Sequence, residues 1–146
     1  MIKRVLVPLD KPDAAEDTLA LVDALMATGA TIRFVHVAPV QDNVVTPEGV
    51  TITYAGQQMA SIVAAWSDAL EPALARLDAT SVDHVVRFGD RVPEILAEAE
   101  AFAADTILVT TGTRSSVKRA LLGSVGEALL RRAGIGVLLY RPPRAV

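Results

Sequence analysis

Five short apolar runs separated by four stretches of helical spacing leave this chain few folds to adopt. Val5-Leu6-Val7-Pro8 is apolar without alternation and stops at a proline and an acid, the pattern of a strand buried on both faces. Thr31 to Ala38, Val82 to Phe88, Thr106 to Val109 and Ile135 to Tyr140 read as further strands. Between them, Ala15, Thr18, Leu19, Val22, Leu25 and Met26 recur at helical spacing, and Gly29 offers a stop. Val92, Ile95, Leu96, Ala99 and Phe102 mark another helix, and the run from Val117 through Leu121, Leu122, Val125 and Leu129 a last one, with Gly134 as its end. Strands alternating with helices predict an α/β fold, a doubly wound parallel sheet with helices on both faces. A chain of 146 residues suits one such domain, expected to span 1–146.

Two segments fit the alternation less well. Pro39 to Gly56 holds two prolines and two glycines and has no convincing period, so it reads as a long functional or mobile connection. Met59, Ile62, Val63, Trp66, Leu70, Leu74 and Leu77 share one face of a helix that contains Pro72, which predicts a kink or break near Glu71.

Composition removes several classes of function. Hydrophobic residues form 51% of the chain, enough for a substantial core and too many for disorder. A net charge of -3 gives no broad attraction to nucleic acid or an anionic membrane, leaving only a local basic cluster at Arg114, Lys118 and Arg119. There is no cysteine, hence no disulfide, thiol nucleophile or thiolate metal site, which fits a reducing compartment. Asp10 cuts the first apolar run too early for a signal peptide, and no stretch nears the roughly 18 apolar residues of a membrane span. The expectation is a soluble, cytoplasmic protein.

In doubly wound sheets ligands sit outside the carboxyl ends of strands where the strand order reverses, so chemistry is sought after strands one, two and four. Asp10 follows strand one, where its carboxylate either accepts hydrogen bonds from a ligand's amine or hydroxyl groups or caps the next helix. Ser124 and Glu127 have capping-box spacing, which puts Ser124 at a helix start and Glu127 reaching back; the same helix start can receive a phosphate, with Gly123 allowing close approach. Thr110 to Ser116 collects five hydroxyls, Gly112 and Arg114 after strand four, either a phosphate-binding loop or a solvated turn. Neither the Walker lysine motif nor Gly-x-Gly-x-x-Gly occurs. His36 and His84 read as packed or exposed strand residues, Glu94 and Glu98 as solvent-facing helix positions, and Trp66 as core. Neither a nucleophile with a nearby base nor metal-ligand spacing is present, so no catalytic residue and no protein-borne metal site are expected.

The segments Ile107-Leu108-Val109-Thr110-Thr111-Gly112-Thr113-Arg114 and Val117-Lys118-Arg119-Ala120-Leu121-Leu122-Gly123-Ser124-Val125 resemble the C-terminal signature of the universal stress protein family. Val5 to Asp10, His36-Val37, Gly89-Asp90 with Pro93, and Asp105 are similar to family landmarks in the same order. The resemblance implies strand order 3-2-1-4-5, an adenine nucleotide alpha hydrolase-like fold, and a homodimer formed through the last strand. It also implies a regulatory stress-response module, not an enzyme, that takes ATP or AMP, with Mg accompanying ATP. The family's Gly-x2-Gly-x9-Gly-Ser pattern falls on Thr110, Thr113, Gly123 and Ser124, so threonine stands at its first two glycine positions. Pro8, Asp10, the Val37 main chain, Thr110, Gly112, Thr113, Arg114, Ser115, Gly123, Ser124 and Val125 are the implied nucleotide contacts. The expectation is weak nucleotide binding; the alternative is a nucleotide-free dimeric interaction protein whose pocket is vestigial.

Overall fold

A computed structural model describes residues 1–52, 55–111 and 123–143. Its main sheet joins β1 (Arg4–Pro8), β2 (Thr31–Ala38), β5 (Val82–Phe88), β6 (Thr106–Thr110) and β7 (Gly136–Tyr140), all parallel, in the order β5-β2-β1-β6-β7. Counting main-sheet strands alone, this is the expected 3-2-1-4-5. The chain moves outward from β1 to β2 and β5, then returns to the other side of β1 for β6 and β7, so the order reverses at the β1/β6 boundary.

Period-two alternation along each strand divides the core into two layers. Val5, Val7, Ile32 and Phe34 face α1 (Ala14–Ala27) and α2 (Ala55–Leu74), where Ala15, Leu19, Val22, Trp66 and Leu70 complete the cluster. Leu6, Val35, Val37 and Ile107 face α3 (Arg91–Phe102) and α4 (Ser124–Arg132), against Ile95, Ala99, Phe102 and Leu129. Helices therefore cover both faces, which is why β1 carries no polar alternation. Gly29 follows α1 with φ near 100°, and the same left-handed turn after α3 is made by Ala103 at φ 55°.

Several sequence expectations change. The connection after β2 contains a small antiparallel hairpin, β3 (Val44–Val45) with β4 (Thr51–Ile52). Helix α2 is unbroken at Glu71: Pro72 lies in its last turn, two residues before the end, where its missing N–H donor touches only the closing turn, and the Ala75 N–H still reaches the Glu71 carbonyl at 2.8 Å. Leu77 falls beyond α2 yet packs on its core, while Val63 is exposed. The helical run expected from Val117 to Leu122 lies outside the described residues, and the helix is described from Ser124.

Glu98 corrects the reading of α3. It is 4% exposed and lies between two arginines, accepting from Arg33 Nη1 of β2 at 3.0 Å and from Arg87 Nη1 of β5 at 2.9 Å. Arg33 also grips Asp83 through Nε and Nη2, both at 2.9 Å, and Arg87 Nε reaches Glu94 at 3.1 Å. These bonds, Asp83 first, push the Arg33 pKa up. The Arg33 and Arg4 guanidiniums also lie over the Phe102 ring, at 4.4 and 4.1 Å from its centre. The network ties the edge strand β5 to α3 through charge, beside the apolar packing of Val85 on the α3 layer.

Candidate functional site

The ends of β1, β2 and β6 meet at the switch point. β1 stops pairing at Pro8, opposite Val35, and the Leu9 N–H continues the ladder by one bond to the Val35 carbonyl at 2.8 Å. β2 runs three residues further, to Ala38. Because N–H and C=O directions alternate along a strand, the Val37 backbone groups point the way Val35's do, toward the side where β1 has already ended. Val37 thus presents main-chain polar groups to the crevice while its side chain, 5% exposed, packs against the α3 layer. The expected main-chain role is geometrically available.

Asp10 stands exposed in the bend that follows Leu9. It does not cap α1, whose N-cap is Asp13, three residues on and without a side-chain cap hydrogen bond. Thr110 is the last residue of β6, opposite Tyr140, and half-buried; the Thr111 N–H extends that ladder to the Tyr140 carbonyl at 2.8 Å. Thr110 is a strand residue, and Ala103 is the one non-glycine with positive φ among the described residues. Threonine at this position therefore costs no left-handed strain; it adds only a side chain.

At the start of α4, Gly123 is the N-cap, in extended conformation, and Ser124 is the first helical residue. This corrects the capping-box reading: no side chain makes a cap hydrogen bond, and the Glu127 N–H donates to the Gly123 carbonyl at 2.9 Å. The Glu127 carboxylate instead approaches Arg131, one turn later, at 3.6 Å. Gly123 and Ser124 are exposed, and Val125 packs toward the α3 layer. Among the described residues, a Cβ on Gly123 would meet nothing within 4 Å, and its φ is not left-handed. Gly112, Thr113, Arg114 and Ser115, with the basic pair Lys118 and Arg119, lie outside the described residues.

Sequence reasoning missed one part of this region. The His36 ring stacks on Trp66 of α2, centroids 3.8 Å apart and planes 18° from parallel, and its Nδ1 lies 2.9 Å from the Leu9 carbonyl. A carbonyl only accepts, so Nδ1 carries the proton and Nε2 of the neutral ring is the acceptor. Burial lowers the His36 pKa, opposed by the Leu9 carbonyl; nearby Arg91 lowers it further and Asp10 raises it. The only signal in the sequence is the placement of both aromatics on positions facing one core layer.

Among the described residues no group of three or more His, Asp or Glu side chains gathers as a metal site, and no helix is long and apolar enough to cross a membrane. A groove of about 270 Å³ lined by Glu16, Leu19, Ala20, Asp23, Arg76 and Leu77 contains none of the expected contact residues.

A five-stranded parallel sheet in this order, covered on both faces and open at its switch point, defines the class of doubly wound α/β domains. The chain belongs to the universal stress protein family, whose family model matches residues 1–141. It is similar in structure to hypothetical protein MJ0577, with 20% identity over 99% of each chain and a TM-score of 0.74. It is also similar to the universal stress protein UspA from Lactobacillus plantarum, with 21% identity over 96% of this chain and 98% of that one and a TM-score of 0.69. A universal stress protein family protein from Arabidopsis thaliana, solved with AMP bound, shares 16% identity over 97% of this chain and 92% of that one, with a TM-score of 0.55. At these identities the likeness shows the fold. No curated protein matches the chain.

Proposed function

We propose that this chain is a regulatory adenine-nucleotide-binding module, a single domain that takes AMP or ATP at the ends of β1, β2 and β6 without turning it over. The observation that carries this reading is the Val37 backbone, directed past the end of β1 beside the exposed Asp10. An adenine edge needs one main-chain donor and one acceptor, and a ribose needs a hydroxyl acceptor such as a carboxylate. The AMP bound by the Arabidopsis relative supports the same ligand class.

Phosphate falls to the Thr110–Ser116 loop and the Gly123-Ser124 helix start. Gly123 supports this role because among the described residues nothing lies within 4 Å of where its Cβ would be, at the exposed start of α4. Asp10 is the one carboxylate assigned to the crevice, so Mg would enter with ATP, held by phosphates and water. Assembly as a homodimer through β7 belongs to the same reading: among the described residues β7 pairs with β6 alone, and Leu139 is 45% exposed. Extracting nucleotide from freshly purified protein tests the module. Recovery of AMP or ATP near one per chain is expected; a nucleotide-free preparation that also fails to take up added AMP at millimolar concentration favours the interaction-protein reading.

A further inference from the structure

We infer that His36 and Trp66 form a positioning pair that holds the rim carrying Asp10, so that the nucleotide pocket is set from beneath by a side chain that need not touch the ligand. This rests on the nucleotide reading for its consequence, although the positioning itself is a property of the ligand-free chain.

The rim hangs from few bonds. Pro8 is the last β1 residue paired with β2, and Leu9 follows it buried, with its N–H on Val35 and its carbonyl on His36. Both Leu9 backbone bonds thus end on β2, one on main chain and one on an imidazole. Asp10 is the next residue and is exposed, so its backbone direction is inherited from the Leu9 peptide. A carbonyl held by a freely rotating side chain would not fix that direction. His36 is not free to rotate: the indole of Trp66, 9% exposed and packed in the α1/α2 core layer, lies against its ring at 3.8 Å. Thus α2 orients the imidazole, the imidazole holds the Leu9 carbonyl, and the peptide aims Asp10. The charged groups that influence the ring are Asp10 itself and Arg91, the first residue of α3.

A merely structural pair and a positioning pair differ in what asparagine restores. His36→Ala removes both the stack and the donor; His36→Asn removes the stack but returns an amide N–H at about the reach of Nδ1. Amide hydrogen exchange in the ligand-free protein and AMP titration are measured on the parent and both variants, with melting temperature alongside. The expected result is faster exchange at Leu9 in His36→Ala, by about fivefold for one lost hydrogen bond, while Val5 and Val7 are unchanged. AMP affinity falls by about the same factor in His36→Ala and recovers only in part in His36→Asn, whose amide returns the donor without the ring that Trp66 fixes; both variants lose melting temperature with the stack. Unchanged exchange at Leu9 in His36→Ala, or an asparagine variant as impaired as alanine in both exchange and binding, overturns the positioning role. Loss of protection at Leu9, restored by asparagine, in a parent that binds no AMP upholds the positioning and refutes the nucleotide reading instead.

Discussion

Glu98→Ala removes the carboxylate that joins β2 and β5 to α3, and the structure sets the size of the loss. Two charge-assisted hydrogen bonds disappear, at 3.0 and 2.9 Å, each worth about 1.5–3 kcal/mol where the groups are dry. The arginines are not dry: their side chains are 26% and 28% exposed, and Arg33 retains Asp83 while Arg87 retains Glu94. Both guanidiniums can therefore rehydrate in part, and the burial cost of Glu98 itself disappears with it. A net loss of about 2–3 kcal/mol follows, below the 3–5 kcal/mol typical of breaking a fully buried pair. In a chain of this size it lowers the melting temperature by about 5–10 °C. Urea unfolding of the parent, Glu98→Ala, Arg87→Met and the double variant measures both the loss and the Glu98–Arg87 coupling. A loss under about 0.5 kcal/mol with no coupling would refute the claim that this network fastens the edge strand.

Other consequences follow from single residues. Ala103→Gly relieves the left-handed turn at φ 55° and should stabilise the fold by about 1 kcal/mol, read from the urea midpoint. Burial pushes the Asp105 carboxyl up, but its hydrogen bonds from the Lys3 and Arg4 N–H groups and the Thr106 hydroxyl outweigh burial and hold it below its ordinary range. Its contribution is thus present above the ordinary carboxylate pKa of about 3.9 and is lost as pH falls through the lower folded value. Asp105→Asn should flatten that acid limb of the stability profile. For His36, also lowered, the unfolded chain binds the proton first, so stability declines as pH falls from about 6.5 toward the folded value. His36→Asn should remove that step in melts between pH 7.5 and 5. Thr110→Gly with Thr113→Gly should raise ATP affinity roughly tenfold, about 1.4 kcal/mol, by calorimetry, since the family pattern has glycine at both positions.

The layered sheet was legible because its evidence is local. Val5 to Val7 can hardly be anything but a doubly buried strand, and the helical spacing of Ala15 to Val22 needs no partner to be recognised. What escaped depends on residues far apart in the chain. Glu98 looks like a solvated helix carboxylate until Arg33, 65 residues away, and Arg87, 11 away, arrive on neighbouring strands. His36 and Trp66 meet only because α2 crosses the face on which β2 ends. Pro72 does not itself reveal that it stands in a closing turn, and a proline divides a helix only where further turns follow it. The positions of Asp10 and Val37 at strand ends followed from the apolar runs, while a ligand role for them is what the family resemblance implies. The capping box at Ser124 did not survive, because spacing alone does not say which residue is first in the helix.

The central claim is that the crevice beside Asp10 and Val37 accepts an adenine nucleotide. Calorimetric titration of AMP into the parent and into Asp10→Ala tests it most directly, with guanosine monophosphate as the control for the base. The account predicts saturable one-site binding to the parent, affinity about tenfold lower in Asp10→Ala, roughly the 1.4 kcal/mol of one charge-assisted hydrogen bond, and a marked preference for adenine. Binding indifferent to both Asp10 and the base, or no heat at millimolar AMP, would contradict it.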